Sequence, residues 1–290
     1  MVTDKEIKAL ITLIDDPDVE IFKAVEEQIL EKGISIIDKL EEAWENAPNE
    51  ISQVRLENII QKIQFSEIIK LLKDWKDKES DNLLKGIYVI CKFHYPDLQF
   101  HELKNALDII VKDVWLELND NLTALEKVRI INHILFDVYQ FGKNSSDFYT
   151  PDNSYLNKVI EHKKGNPISL CILYAIVAQE LKIPIYGVNL PKNFILAYKD
   201  ENDITKYIDE LSDDVLFYIN PFNKGGVFGK KEIDYYLKQL NIEPQKSFYQ
   251  PCNNIEIIRR LILTLMHAYE KEENSYKTED LKILFSILKD

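Results

Sequence analysis

The run Asn166-Pro167-Ile168-Ser169-Leu170-Cys171-Ile172-Leu173-Tyr174-Ala175-Ile176-Val177-Ala178 limits the fold more than any other part of the chain. Asn is a strong helix N-cap, and proline suits the first helical position, where its missing N–H is not needed. The residues that follow leave hardly any polar face, so a helix built from them must be enclosed by other elements. Ile183-Pro184 stops it, since the residue before a proline is pushed away from helical angles. Beyond the break, IPIYGVNL, NFILAYK and VLFYINPF have the β-branched and aromatic content of strands, and Gly225-Gly226 reads as the turn after the third. The spacing predicts a highly buried helix near 165–182, with strands at 184–190, 193–199 and 215–220 against it.

Elsewhere the pattern is helical. Ile7, Leu10, Ile11 and Ile14 form a first apolar stripe, and Asp15-Asp16-Pro17 breaks it. Phe22, Val25 and Ile29 form a second, closed by Gly33. Two further stripes follow, Ile36-Ile37-Leu40-Trp44 and Leu56-Ile59-Ile60-Ile63. The segment LITLIDDPDVEIFKAVEEQILEKG resembles HEAT-type repeats, and a plain helical hairpin is the alternative. Thr123 and Glu126 make a capping-box pattern ahead of Val128, Ile131, Leu135 and Val138. Amphipathic helices return at 254–269 and 278–288. The expected organisation is helical hairpins over 1–64, a main domain with a helical lead-in over 65–250 and a C-terminal helical hairpin over 251–290.

Charge narrows the partners. With 36 Lys+Arg against 49 Asp+Glu, a net charge of −13 repels phosphate backbones and anionic membranes, so neither nucleic acid nor a membrane is expected as partner. The first residues lack a basic segment followed by an apolar one, and no apolar run approaches the length of a membrane span. Cys91, Cys171 and Cys252 are too far apart to suggest a disulfide framework, and the cytoplasm is the expected location. There is no HExxH, CxxC or phosphate-binding glycine loop, so no metal and no cofactor is expected.

Five segments stand out: NHILFDVYQFGKN (132–144), NSYLNKVIEHKKGNPISL (153–170), LYAIVAQELKIPIYGVNLP (173–191), FILAY (194–198) and FYINPFNKGG (217–226). Together they resemble the SirB-type transglutaminase-like family, a branch of the transglutaminase/papain-like superfamily. The resemblance implies an α+β, predominantly helical fold, with a buried central helix on a small antiparallel sheet and helical hairpins on its flanks. In active members of the superfamily a Cys opens the central helix, a His lies on the following strand and an Asp on the next. There the helix N-terminus favours the thiolate, the imidazole takes its proton and the carboxylate orients the ring. Carried onto this sequence, those positions fall on Pro167 or a close neighbour, on Asn193 and on Asn220. Proline has no nucleophile and neither amide titrates, so all three roles are unfilled.

Cys171 is the other possible nucleophile, but it sits a turn into an apolar helix, where burial raises a thiol pKa. It reads as a packing thiol, Ser169 as an exposed first-turn serine, His133 as a core residue and His162 as a solvated helix-flanking residue. The candidate cleft comprises Asn166, Ser169, His162, Asn193 and Asn220. The leading expectation is a degenerate, non-catalytic domain that binds a protein, a peptide or another ligand. The competing one is a thiol-dependent hydrolase or acyl transferase using Cys171, with His162 or His133 as base. A purely structural subunit is the third.

Overall fold

A computed structural model describes residues 4–144, 150–199 and 214–289. The chain divides into two compact units, Met1–Asp74 and Trp75–Asp290. The fold is α+β and predominantly helical, with one small antiparallel sheet.

The first unit is all helical: α1 (Asp4–Thr12), α2 (Val19–Lys32), α3 (Ile37–Glu45) and most of α4 (Glu50–Lys78). The stripes read from the sequence become its core, with Ile7, Leu10, Ile14, Val25, Ile29, Leu40, Leu56, Ile59 and Ile63 buried together. Asp18 caps α2 by accepting the Glu20 N–H over 2.8 Å, a cap of about 1 kcal/mol. Gly33, at φ +59°, ends that helix. Arg55 ties the turn after α1 to α4, donating to the carbonyls of Ile14 and Asp16 over 2.6 and 2.8 Å.

In the second unit, α5 (Leu83–Lys92), α6 (Phe100–Glu117) and α7 (Ala124–Asn132) precede a two-residue parallel pairing of β1 (Gly142–Lys143) with β2 (Lys164–Gly165). Between those strands lies α8 (Leu156–His162). Next come α9 (Pro167–Glu180), then β3 (Ile185–Val188), β4 (Ile195–Lys199), β5 (Val215–Asn220) and β6 (Gly226–Phe228), and finally α10 (Lys230–Gln239), α11 (Asn254–Lys271) and α12 (Ser275–Ile287). The sheet runs β3-β4-β5-β6, antiparallel throughout, with Gly187 opposite Leu196 and Leu196 opposite Ile219.

Helix α9 has the environment its composition demands. Every residue from Ile168 to Ala178 is buried, and α6, α8, α11, β3 and β4 pack around it. Each enclosed Ile, Leu or Val contributes roughly 1.5–3 kcal/mol relative to the same side chain in water. The three strands expected from the sequence are present. A fourth, β6, forms where only a turn was expected, because Gly226 leaves the turn directly into register with Asn220.

Two expectations along 122–141 are corrected. After α7 the backbone passes into a π-helical turn over His133–Val138, in which the Tyr139 N–H donates to the Ile134 carbonyl five residues back. That wider turn carries Val138 off the buried stripe, leaving it 54% exposed. His133 is not a core residue. It lies on the solvent face, its Nδ1 3.3 Å from Asp137 Oδ2 one turn on. The Thr123–Glu126 capping box forms as read, Glu126 accepting the Thr123 N–H over 2.8 Å.

Candidate functional site

The start of α9 is built from a reciprocal cap. Asn166 Oδ1 accepts the Ser169 N–H and Ser169 Oγ accepts the Asn166 N–H, each over 3.0 Å. The Ser169 hydroxyl donates back to the Asn166 carbonyl over 3.2 Å, and the Asn166 amide donates to Ser154 Oγ over 2.8 Å. Ser169 is therefore buried at 1% exposure, not exposed as its place in the first turn suggested. The cap is itself tied to the preceding turn, the Asn166 N–H donating also to the Asn153 carbonyl over 3.4 Å, an arrangement that no local pattern announces. The Ser169 oxygen is thus engaged in the cap.

Pro167 follows the cap at the first helical position. Cys171 lies one turn further in, at 0% exposure, and its thiol donates to the Phe194 carbonyl over 3.3 Å. Burial first, and Cys252 second, hold the Cys171 thiol well above its ordinary pKa. Among the described residues no imidazole is a partner of this sulfur.

Opposite the helix start, the turn ahead of β4 carries Lys192 at φ +58° and then Asn193. Asn193 Oδ1 accepts the Phe194 N–H over 2.9 Å, which fixes the amide at the strand entrance. A cavity of about 130 Å³ lies between Asn166, Pro167 and Ile168 on one side, Lys192 to Phe194 on another, and Arg260, Thr264 and His267 of α11 on the third. The structure thus brings Asn166, Pro167 and Asn193 together.

The remaining sequence candidates stand apart from that wall. His162 is exposed at the end of α8. Asn220 closes β5 at the same end of the sheet as Asn193, since Ile219 is opposite Leu196, but it does not line the cavity. Its carbonyl accepts the Gly225 N–H over 3.0 Å, while its side-chain oxygen is buried with no hydrogen-bond partner among the described residues. A second such oxygen belongs to Asn132, whose Nδ2 donates to the Gly225 carbonyl over 2.8 Å.

Arg260, Lys192, Thr264 and His267 were not singled out in the sequence. Three of them lie on α11, a helix whose pattern reads as a flanking hairpin, and only the fold brings it to the start of α9. Thr264 is occupied, its hydroxyl donating to the Arg260 carbonyl over 3.0 Å. Among the described residues there is no cluster of three or more His, Cys, Asp or Glu side chains able to hold a metal ion. No helix among them is long and apolar enough to cross a membrane.

A buried central helix, an antiparallel sheet against it and a cleft at the helix start define the transglutaminase-like class. Residues 101–263 match the family model described as "Transglutaminase-like superfamily", and the chain belongs to that superfamily. It is similar to a UPF0162 protein of Xylella fastidiosa, 29% identical over 54% of this chain and 52% of that protein. It is also similar to the UPF0162 protein YchA of Escherichia coli, 25% identical over 70% of this chain and 74% of that one. F-box only protein 21 of Mus musculus is 30% identical over 51% of this chain and 23% of its own length. The chain thus spans about half the length of the first of these relatives. No solved structure matches it.

Proposed function

We propose that this is a SirB-type member of the superfamily whose site is degenerate and non-catalytic, and that it works as a module binding a protein, a peptide or another ligand. The observation that carries this reading is the cavity at the start of α9. Its wall includes Pro167 and Asn193, the residues onto which the family resemblance carries the thiol and the imidazole, while the nearby thiol, Cys171, is turned into the core against Phe194. A thiol at that depth, raised well above its ordinary pKa, supplies almost no thiolate at neutral pH. A concave site can outlast its chemistry. The match to 23% of F-box only protein 21 supports use of this fold as one part of a longer protein. The helical hairpins expected at 1–64 and 251–290 would then add partner-binding surface.

The test combines labelling with turnover. Native protein is treated with iodoacetamide at neutral pH and assayed for amidase and acyl-transfer activity on peptide amides. The reading expects an unlabelled Cys171 and no turnover. Stoichiometric alkylation of Cys171 in the folded protein would instead favour a thiol-dependent hydrolase or acyl transferase.

A further inference from the structure

Arg260 reaches the wall of the α9 cavity from the side of α11. It is half-buried, and its Nη1 donates to two neutral acceptors, Asn189 Oδ1 over 3.0 Å and the Leu190 carbonyl over 3.5 Å. Burial depresses its pKa, opposed by the Tyr236 phenol. Among the described residues it has no carboxylate partner, and neither has Lys192 beside it. A partly desolvated cation without counter-charge is unfavourable, and the planar guanidinium fork matches a carboxylate through two parallel hydrogen bonds. His267 is the third basic side chain of the wall, its Nδ1 3.9 Å from Glu270 Oε2 outside it. No Asp or Glu among the described residues lines the cavity. In a chain with 49 acidic and 36 basic residues, a wall with three basic side chains and no acidic one is the reverse of the average surface.

From this we propose that the cavity binds a carboxylate end group, with Arg260 and Lys192 supplying the counter-charge. The proposal rests on the binding-module reading and names its ligand chemistry. Size sets the mode of binding. About 130 Å³ corresponds to roughly four water molecules, enough for a carboxylate and its adjoining carbons and too little for a whole drug-sized ligand. The ligand is therefore held by its end. Two sources share that chemistry: a small free dicarboxylate, and a peptide carrying a C-terminal carboxylate.

The experiment is a titration of the full chain followed on the His267 ring signals by NMR. The probes are succinate, a short alanine peptide with a free C-terminus, the same peptide amidated, and inorganic phosphate. Each is repeated on Arg260→Gln, on Lys192→Glu and on the remote control Lys282→Gln. The expected result is saturable binding of one or both carboxylate probes, no binding of the amidated peptide and unchanged binding in the control. Affinity should fall about tenfold or more in both cavity variants, a loss of roughly 1.4 kcal/mol or more. Succinate alone binding assigns a free acid, and the peptide acid binding assigns a chain terminus. Lys192 is exposed, so Lys192→Glu carries the comparison if Arg260→Gln does not fold. The proposal is overturned if neither carboxylate binds, if phosphate binds more tightly than both, or if the cavity variants bind as the parent does. Turnover of peptide amides would sink the non-catalytic reading alone, and failure to bind carboxylates would sink this proposal alone.

Discussion

The thiol of Cys171 donates to the carbonyl of Phe194 over 3.3 Å, linking the central helix to the residue after Asn193. Helix and strand entrance are thus fastened together by a group that elsewhere in the superfamily's chemistry would be a nucleophile. Cys171 should resist iodoacetamide at neutral pH in the native protein and react once urea unfolds it. Cys171→Ala removes this hydrogen bond and a small buried volume, and should lower stability by about 1 kcal/mol without exposing the cavity. Mass spectrometry of the labelled peptide and urea denaturation read the two outcomes.

Of the glycines, Gly225 is the one where an added side chain would meet the closest contact. Its φ is +70°, and a Cβ there would lie 1.8 Å from Asn132 Oδ1. Gly225→Ala combines left-handed strain of about 1–2 kcal/mol with a steric clash, and should cost on the order of 3 kcal/mol. Because the clash is with one side chain, Asn132→Ala should recover part of that loss when combined with it. A double-mutant cycle by urea denaturation should show a coupling of about 1 kcal/mol or more, whereas additive losses would mean that the two residues do not meet.

His94 makes part of the stability depend on pH. Its Nδ1 lies 2.9 Å from the Tyr269 hydroxyl, which is 2.9 Å from that of Tyr155, and its ring stacks on Tyr155 at 5.3 Å. Burial first, then the Lys277 and Lys158 ammonium groups, lower its pKa from the ordinary 6.5 against the opposing pull of Asp152. The unfolded chain therefore binds the proton at higher pH than the folded one. This contribution is fully present above about pH 6.5 and is lost as the pH falls through the lowered folded value. His94 is nonetheless an exposed residue, so the effect should be modest. The urea midpoint should fall between pH 7 and pH 5, and the fall should be smaller in His94→Gln.

Filling the three roles tests whether the scaffold can still carry the chemistry. Asn193→His with Asn220→Asp should fold and remain inactive, since Pro167 brings no thiol. Adding Pro167→Cys gives the first variant with all three chemical groups. Asn220 bears on the outcome, because among the described residues its side-chain oxygen is already buried without a partner, and a carboxylate buried there needs a compensating donor. Circular dichroism and thiol reactivity at residue 167 follow the series.

The parts legible in the sequence were those fixed by neighbouring residues. Asn166 and Pro167 mark the start of α9 by their own chemistry, and the polar-free body beyond them forces burial on any fold that contains it. The strands carry their β-branched pattern directly. What the sequence hid depends on residues far apart in the chain. Ser169 is buried in a cap whose Asn166 is tied to Ser154, twelve residues back, and His133 faces solvent where the helix passes into a π-helical turn. Strand β6 is three residues long and begins with a glycine, too short for any periodicity. Arg260 and His267 join the cavity wall only once α11 packs against α9.

The most direct measurement is turnover of peptide amides and amine acceptors by the unmodified full chain, beside Asn193→Ala. The account predicts no turnover above the uncatalysed rate in either protein. Measurable amidase or acyl-transfer activity in the unmodified chain, abolished by Asn193→Ala, would contradict it and make that asparagine part of a working site.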